Sequence, residues 1–354
     1  MWQDMAGTTE TMLENERDLY HANIKLGNCF IIYMEPLTYS AIVSAQDRYH
    51  ALVNPSPLML LNVNIPDTKI YLKLENLQAI GSFKLRGAIN AICKLTPEQK
   101  REGVWTASKG NFARGLAWAC SQEKIPCKVV VPHSAPAAKI QPAIDLGVEV
   151  IRVPVSLEEW MGIIFDGNLC ERVTGTFIHP SFATDCIAGN GVIGLEILDT
   201  LPEVDSIVIP FGGGGLTHGI STAVKHRKPE VQIYAAEVEG AAPLKASLSE
   251  GNTVFIDCHH SFVDGIGSRT VSEEIFREVR KVVKDSIVVS PKEVAVALRL
   301  LVENSHVVAE GAGAASVAAA MTGMAGKGNI VCIVTGGCID TDVLVKILQG
   351  ELPS

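Results

Sequence analysis

Ile207-Val208-Ile209-Pro210-Phe211-Gly212-Gly213-Gly214-Gly215-Leu216-Thr217-His218-Gly219-Ile220 reads as a short buried strand, four glycines and the opening of a helix. The apolar run is too short for a helix and β-branched at three of its four positions before the Phe, as a strand covered on both faces should be. Four glycines in a row leave four backbone N–H groups without side-chain cover, and their free φ values let those groups converge on an anion. The helix that follows adds its unpaired N–H groups and the positive end of its dipole. No Gly-Lys-Ser/Thr follows, so the loop is not a Walker A motif, and the G-x-G-x-x-G spacing of a dinucleotide site is absent. A phosphate cradle for a smaller cofactor fits; a plain flexible turn is the alternative.

Outward from this unit the same alternation continues. Strands are predicted at Lys69–Leu74, Lys128–Val131, Glu149–Val153, Ser206–Pro210, Gln232–Ala235, Ser286–Val289 and Asn329–Val334. Helices are predicted at Phe83–Leu95, Asn111–Ser121, Pro136–Leu146, Leu157–Val173, Asn190–Leu201, Leu216–His226, Pro291–Glu303 and Gly313–Thr322. Strands alternating with helices imply βαβ units and a mostly parallel sheet. Such sheets bind ligands beyond the carboxyl ends of their strands. Residues 1–37 mix Asp, Glu and Thr with one short apolar patch and are set apart as an extension of unknown structure. No repeat or low-complexity linker breaks the rest, and no appended regulatory domain is expected after the last glycine turn.

Composition narrows the partner. A formal charge of -9 over 354 residues, with no dense basic run, argues against nucleic acid and anionic membranes. No apolar stretch approaches the roughly 20 residues of a membrane span, and the acidic start resembles neither a signal nor a transit peptide. The nine cysteines are scattered without ligand spacing, some inside apolar runs such as Ile330-Val331-Cys332-Ile333-Val334, which suggests buried free thiols and a reducing, cytosolic setting. A small molecule is the expected partner.

Three further segments sit where chemistry belongs. Gly81-Ser82-Phe83-Lys84-Leu85-Arg86-Gly87-Ala88 opens a helix. A lysine there is usually a solvated charge, but apolar neighbours can lower its pKa enough to make it a nucleophile or base. Thr106-Ala107-Ser108-Lys109-Gly110-Asn111-Phe112 joins a strand-like stretch to a helix and offers donors suited to a carboxylate. Val334-Thr335-Gly336-Gly337-Cys338 follows the last strand.

Together these segments closely resemble the serine/threonine dehydratase and serine racemase family, fold-type II pyridoxal-phosphate enzymes, over roughly residues 38–350. The resemblance implies two α/β domains of the tryptophan synthase β-like type, with open, twisted, mostly parallel sheets and the cofactor in the cleft between them. Residues 38–101 and 183–354 would form the large cofactor domain and 102–182 the small mobile one. It implies that Lys84 is the Schiff-base lysine with Phe83 against the pyridine ring. Gly212, Gly213, Gly214, Gly215 and Leu216 would hold the cofactor phosphate, and Asn111 the 3′-oxygen. Glu310 would lie near the ring and Thr335 beside its nitrogen. Ser108, Lys109, Gly110, Asn111 and Phe112 would form the loop that clamps the substrate carboxylate.

A neutral hydroxyl at Thr335 does not favour a fully protonated pyridinium, so the cofactor becomes a modest electron sink that suits elimination. The implied reaction is dehydration and deamination of a small L-hydroxy-amino acid of the serine or threonine class. Lys84 takes the α-proton, the β-hydroxyl leaves with help from the cofactor phosphate, and an α-keto acid and ammonia are released. A cytoplasmic homodimer is implied as well.

Four positions depart from the family pattern. Lys109 stands where racemases place a Ser and dehydratases often an Ala; Phe112 replaces a His, and Ile80 a Thr. Lys109 could supply a proton from the second face, as a racemase needs, or meet the distal carboxylate of a substrate such as 3-hydroxyaspartate. A catalytically inactive cofactor-binding homologue is the non-enzyme alternative. The family's divalent-cation position maps to Glu237 and Ala241, but the second acid is replaced by Pro243. A cation held by so few oxygens would bind weakly, so Glu237 and Ala241 are weak candidates for a divalent-cation site. Cys258-His259-His260 has poor spacing for zinc and reads as a loop.

Overall fold

The computed structural model describes residues 24–26, 29–31, 36–49, 52–135, 137–154, 163, 173–259 and 261–353. Along the chain run β1 (Ile24–Leu26), β2 (Cys29–Ile31), α1 (Tyr39–Tyr49), β3 (Leu58–Leu60), β4 (Thr68–Leu74), α2 (Lys84–Cys93), α3 (Pro97–Glu102), β5 (Val104–Ala107), α4 (Asn111–Glu123), β6 (Cys127–Pro132), α5 (Ala137–Ile144) and β7 (Glu149–Val153). Then follow β8 (Gly175–Phe177), α6 (Thr184–Thr200), β9 (Ser206–Pro210), α7 (Gly215–Arg227), β10 (Gln232–Val238), α8 (Pro243–Glu250) and α9 (Glu273–Val279). The chain closes with β11 (Val283–Val289), α10 (Pro291–Ser305), α11 (Gly311–Met321), β12 (Gly328–Val334) and α12 (Thr341–Leu348).

These strands form two sheets, one in the order β11-β10-β9-β12-β4-β3 and the other β1-β2-β8-β5-β6-β7. Pairing is parallel except at one edge of each, where β3 runs against β4 and β1 against β2. In the first sheet β9 lies between β10 and β12, in register Ile207 with Ile233 and with Val331. All five residues of β9 are buried, which is what the unbroken Ile and Val run requires of a strand covered on both faces. In the second sheet β5 is likewise fully buried, between β6 and β8.

The fold is therefore the mostly parallel α/β type expected. Its strands end where the segments above begin: β4 leads to Lys84, β5 to Ser108, β9 to Gly212 and β12 to Thr335. Two differences have physical causes. The short strands β3 and β8 carry three residues each, below the length at which alternation can be read, and were not predicted. Helix α6 begins at Thr184 instead of Asn190, and its N-cap residue Ala183 carries no capping side chain to mark the start. The helices α1, α3, α8, α9 and α12 were also not predicted. The helix expected at Leu157–Val173 lies outside the described residues apart from Ile163 and Val173. Strands β1 and β2 belong to the segment set apart as an extension, and β2 pairs with β8 in parallel. Among the described residues no helix is long and apolar enough to cross a membrane.

Candidate active site

A cavity of about 280 Å³ opens between the two sheets, at the carboxyl ends of their strands. Its wall brings together every cofactor and substrate residue singled out from the sequence: Phe83 and Lys84, Ser108 to Phe112, Gly212 to Leu216, Glu310 and Thr335. It also holds residues that the sequence reading missed, among them Pro180, Ser181 and Asn190, and Asp264-Gly265-Ile266. The last three carry a glycine-turn signal; Pro180 and Ser181 gave none beyond following a strand end, and Asn190, inside α6, gave none.

The glycine loop is built by close approach. Gly214 has φ +81, the left-handed region, and a Cβ there would sit 2.4 Å from Ile275. At Gly213 a Cβ would lie 2.7 Å from the Ser181 hydroxyl. Helix α7 starts at Gly215, one residue earlier than expected, so its first N–H groups point at the cavity.

Lys84 begins α2, and its Nζ donates to the Pro180 carbonyl at 3.0 Å. The ammonium lies 5.1 Å from the centre of the Phe83 ring and 5.8 Å from that of Phe112. Burial pushes its pKa down to about 8, opposed by Cys186 and Glu310. Near neutrality a useful fraction is thus the free amine, the form that can act as nucleophile or base. Glu310 precedes α11, and burial pushes its carboxyl up to about 7 against the Asn111 amide, which donates to its two oxygens at 3.0 and 3.1 Å. Asn111 opens α4, on the side of the cleft that carries β5, so this contact bridges the cleft. Lys139 of α5 and Asp264 form a second bridge across it.

Lys109 lines the cavity as an exposed side chain, and no ion pair to it is found among the described residues. Thr335 is buried on the cavity wall, and its hydroxyl has no hydrogen-bond partner among the described residues. A buried hydroxyl left this way costs free energy unless something else meets it.

A model of pyridoxal-phosphate dependent enzymes matches residues 51–336. The chain belongs to this family. It is 38% identical over 325 residues to an L-threonine ammonia-lyase of Thermotoga maritima, covering 89% of this chain and 79% of that protein. It is 32% identical to the catabolic L-threonine dehydratase TdcB of Escherichia coli, covering 90% and 98% of the two chains. Among solved structures it is similar to maize serine racemase, with a TM-score of 0.81, 30% identity and coverage of 89% and 98%. A threonine deaminase of Solanum lycopersicum superposes with a TM-score of 0.78 at 28% identity, over 92% and 93% of the chains.

The cavity fits the family's cofactor on its own chemistry. The glycine loop and the start of α7 offer N–H donors to a phosphate. Lys84 offers an amine for the aldehyde, and the unmet Thr335 hydroxyl can face a ring nitrogen. The cation candidates lie elsewhere. Both Glu237 oxygens are engaged, accepting from Leu244 N at 2.9 Å, Lys245 N at 2.8 Å and Ser286 Oγ at 2.6 Å, so this carboxyl caps α8. Burial pushes it up to about 7. The Ala241 amide donates to Val238 O. Cys258 and His259 lie in a loop, and His260 falls outside the described residues. No group of three or more His, Cys, Asp or Glu placed for a metal occurs among the described residues.

Proposed function

We propose that this pyridoxal-phosphate enzyme is an ammonia-lyase that dehydrates and deaminates a small L-hydroxy-amino acid of the serine or threonine class. The observation that carries this reading is the Lys84 amine, its pKa lowered to about 8 and its Nζ held by the Pro180 carbonyl, at the junction of an N–H cradle and a second N–H-rich loop. When bound, the cofactor supplies the electron sink that acidifies the substrate's α-proton. Gly212 to Leu216 would bind its phosphate, Thr335 would meet its ring nitrogen, and Phe83 and Asn111 would orient it. Ser108 to Phe112 would hold the substrate carboxylate with the N–H groups that open α4. Lys84 Nζ, which would also anchor the cofactor, would take the substrate's α-proton as the β-hydroxyl departs. Loss of water leaves an enamine that hydrolyses to an α-keto acid and ammonium. Phe112, buried beside Lys84, would keep water from the amine.

Residues 102–182 are proposed to close as a unit over the substrate, since the Asn111–Glu310 and Lys139–Asp264 contacts span the cleft. Free thiols at Cys93, Cys120, Cys127, Cys186, Cys258, Cys332 and Cys338 support a cytosolic setting, and a homodimer belongs to the same reading. Lys109 favours a second activity, racemisation, because a cation lining the cavity with no ion pair among the described residues can donate a proton there; a distal substrate carboxylate is its other natural partner.

The test is release of keto acid from L-serine, L-threonine and 3-hydroxyaspartate, with racemisation followed in parallel. Keto acid from serine or threonine is expected, with Lys84→Ala losing more than about a thousandfold in rate. Lys109→Ala should spare elimination and abolish any racemisation. Turnover of 3-hydroxyaspartate alone would transfer the reading to an acidic substrate.

A further inference from the structure

The described part of the chain contains a turn that touches both the reactive lysine and the glycine loop. Residues 179–182 leave β8 and enter α6. On the upstream side Ile178 is tied to β5 twice, its N–H donating to Trp105 O at 2.9 Å and its carbonyl accepting from the Thr106 hydroxyl at 2.9 Å. The Pro180 carbonyl then takes Lys84 Nζ. Proline has no N–H, so that carbonyl is the residue's whole polar backbone. Ser181 packs on the cradle: its carbonyl oxygen lies 2.3 Å from where a Cβ on Gly215 would stand. The lysine's partner and one wall of the glycine loop are therefore adjacent residues.

His179 holds this turn in shape. It is 6% exposed, and its Nδ1 accepts both the Ser181 and the Phe182 N–H at 2.9 Å. Two donors aimed at one ring nitrogen require its lone pair, which puts the ring proton on Nε2. The ring stacks on Phe182 with centroids 4.2 Å apart and meets Phe177 edge-on at 6.0 Å. Helix α6 lacks a capping side chain at Ala183, so without His179 two N–H groups just ahead of it would lose their acceptor.

We propose that His179 is a positioning residue that, through the 179–182 turn, sets Pro180 O against Lys84 and Ser181 against the glycine loop. The proposal rests on Lys84 being the reactive amine, as in the proposed function, but not on the identity of the substrate. Its test compares His179→Asn, whose side-chain oxygen can replace Nδ1 as acceptor, with His179→Phe, which keeps the ring stack and removes the acceptor.

In the holoenzyme, His179→Phe is expected to lose cofactor at least tenfold faster and to lower kcat more than it raises KM, by roughly tenfold. It should also shift the pH at which the lysine-linked chromophore titrates, and His179→Asn should restore most of each. Equal defects in both variants, or a wild-type chromophore and cofactor off-rate in His179→Phe, would overturn the proposal. Should His179→Phe not fold, ¹⁵N-labelled wild-type protein decides. A neutral His179 with its proton on Nε2 and an acceptor shift at Nδ1 supports the proposal; a proton on Nδ1 ends it. Cofactor retention and ring tautomer are read without substrate, so their failure is separable from a wrong substrate class.

Discussion

Helix α2 has two faces, and they treat charge in opposite ways. Behind it, Arg86 is wholly buried and binds two carboxylates at once, donating to Glu75 at 2.7 and 2.9 Å and to Glu196 at 2.6 and 2.9 Å. Lys73 completes the group through Glu196 at 2.5 Å and the Ser56 carbonyl at 2.7 Å, and the Ser56 hydroxyl returns to Glu75. Two cations and two anions balance. Burial alone would raise the Glu75 pKa, but Arg86 and Lys73 outweigh it and hold the carboxyl below its usual range.

Two residues earlier on the same helix, Lys84 faces the cavity with one hydrogen-bond acceptor among the described residues, two aromatic rings beside it and a pKa lowered by burial. Across that cavity Glu310 moves the other way, up to about 7, and Thr335 has no partner among the described residues. Saturated polar groups fix where α2 sits. On the cavity side, Lys84 and the Thr335 hydroxyl have fewer partners among the described residues, as a site that takes a ligand would leave them.

Breaking the saturated side should cost most. Arg86→Leu strands two buried carboxylates and is expected to lower stability by about 3–5 kcal/mol in urea melts; a loss below about 1 kcal/mol would mean the cluster is not a frame. On the cavity side the sign reverses. Lys84 has its folded pKa below the unfolded value, so between about pH 8 and 10.5 the unfolded chain binds more protons. The cost of burying Lys84 is complete below pH 8 and gone above 10.5. Lys84→Met should therefore stabilise the cofactor-free protein by roughly 3 kcal/mol at pH 7, a gain that fades as pH approaches 10.5. Smaller still, Thr335→Val removes an unmet hydroxyl. It should raise cofactor-free stability by about 1 kcal/mol while weakening cofactor binding, and destabilisation instead would show that the hydroxyl already has a partner.

The two faces were not equally legible in the sequence. Lys84 sits inside a local pattern with glycines on both sides, and β9, the glycine loop and α7 follow one another without interruption, so their order could be read along the chain. The Arg86 cluster joins residues 73, 75, 86 and 196. Neither periodicity nor spacing links partners up to 123 positions apart, and a lone Arg on a helix looks like surface. The His179 turn was hidden for a related reason: β8 is three residues long, and the work of His179 is done by a ring nitrogen accepting from backbone, which leaves no mark in residue type. Lys109 was singled out from the sequence, and it does line the cavity.

The most direct measurement is the visible absorption spectrum of the purified protein reconstituted with pyridoxal phosphate, beside that of Lys84→Ala treated in the same way. Wild type should show the band of a lysine-linked cofactor, which changes on adding L-serine or L-threonine as keto acid appears, and Lys84→Ala should lack it. A wild-type protein that stays colourless, or a Lys84→Ala variant with the same band, would contradict the assignment of Lys84 as the reactive amine.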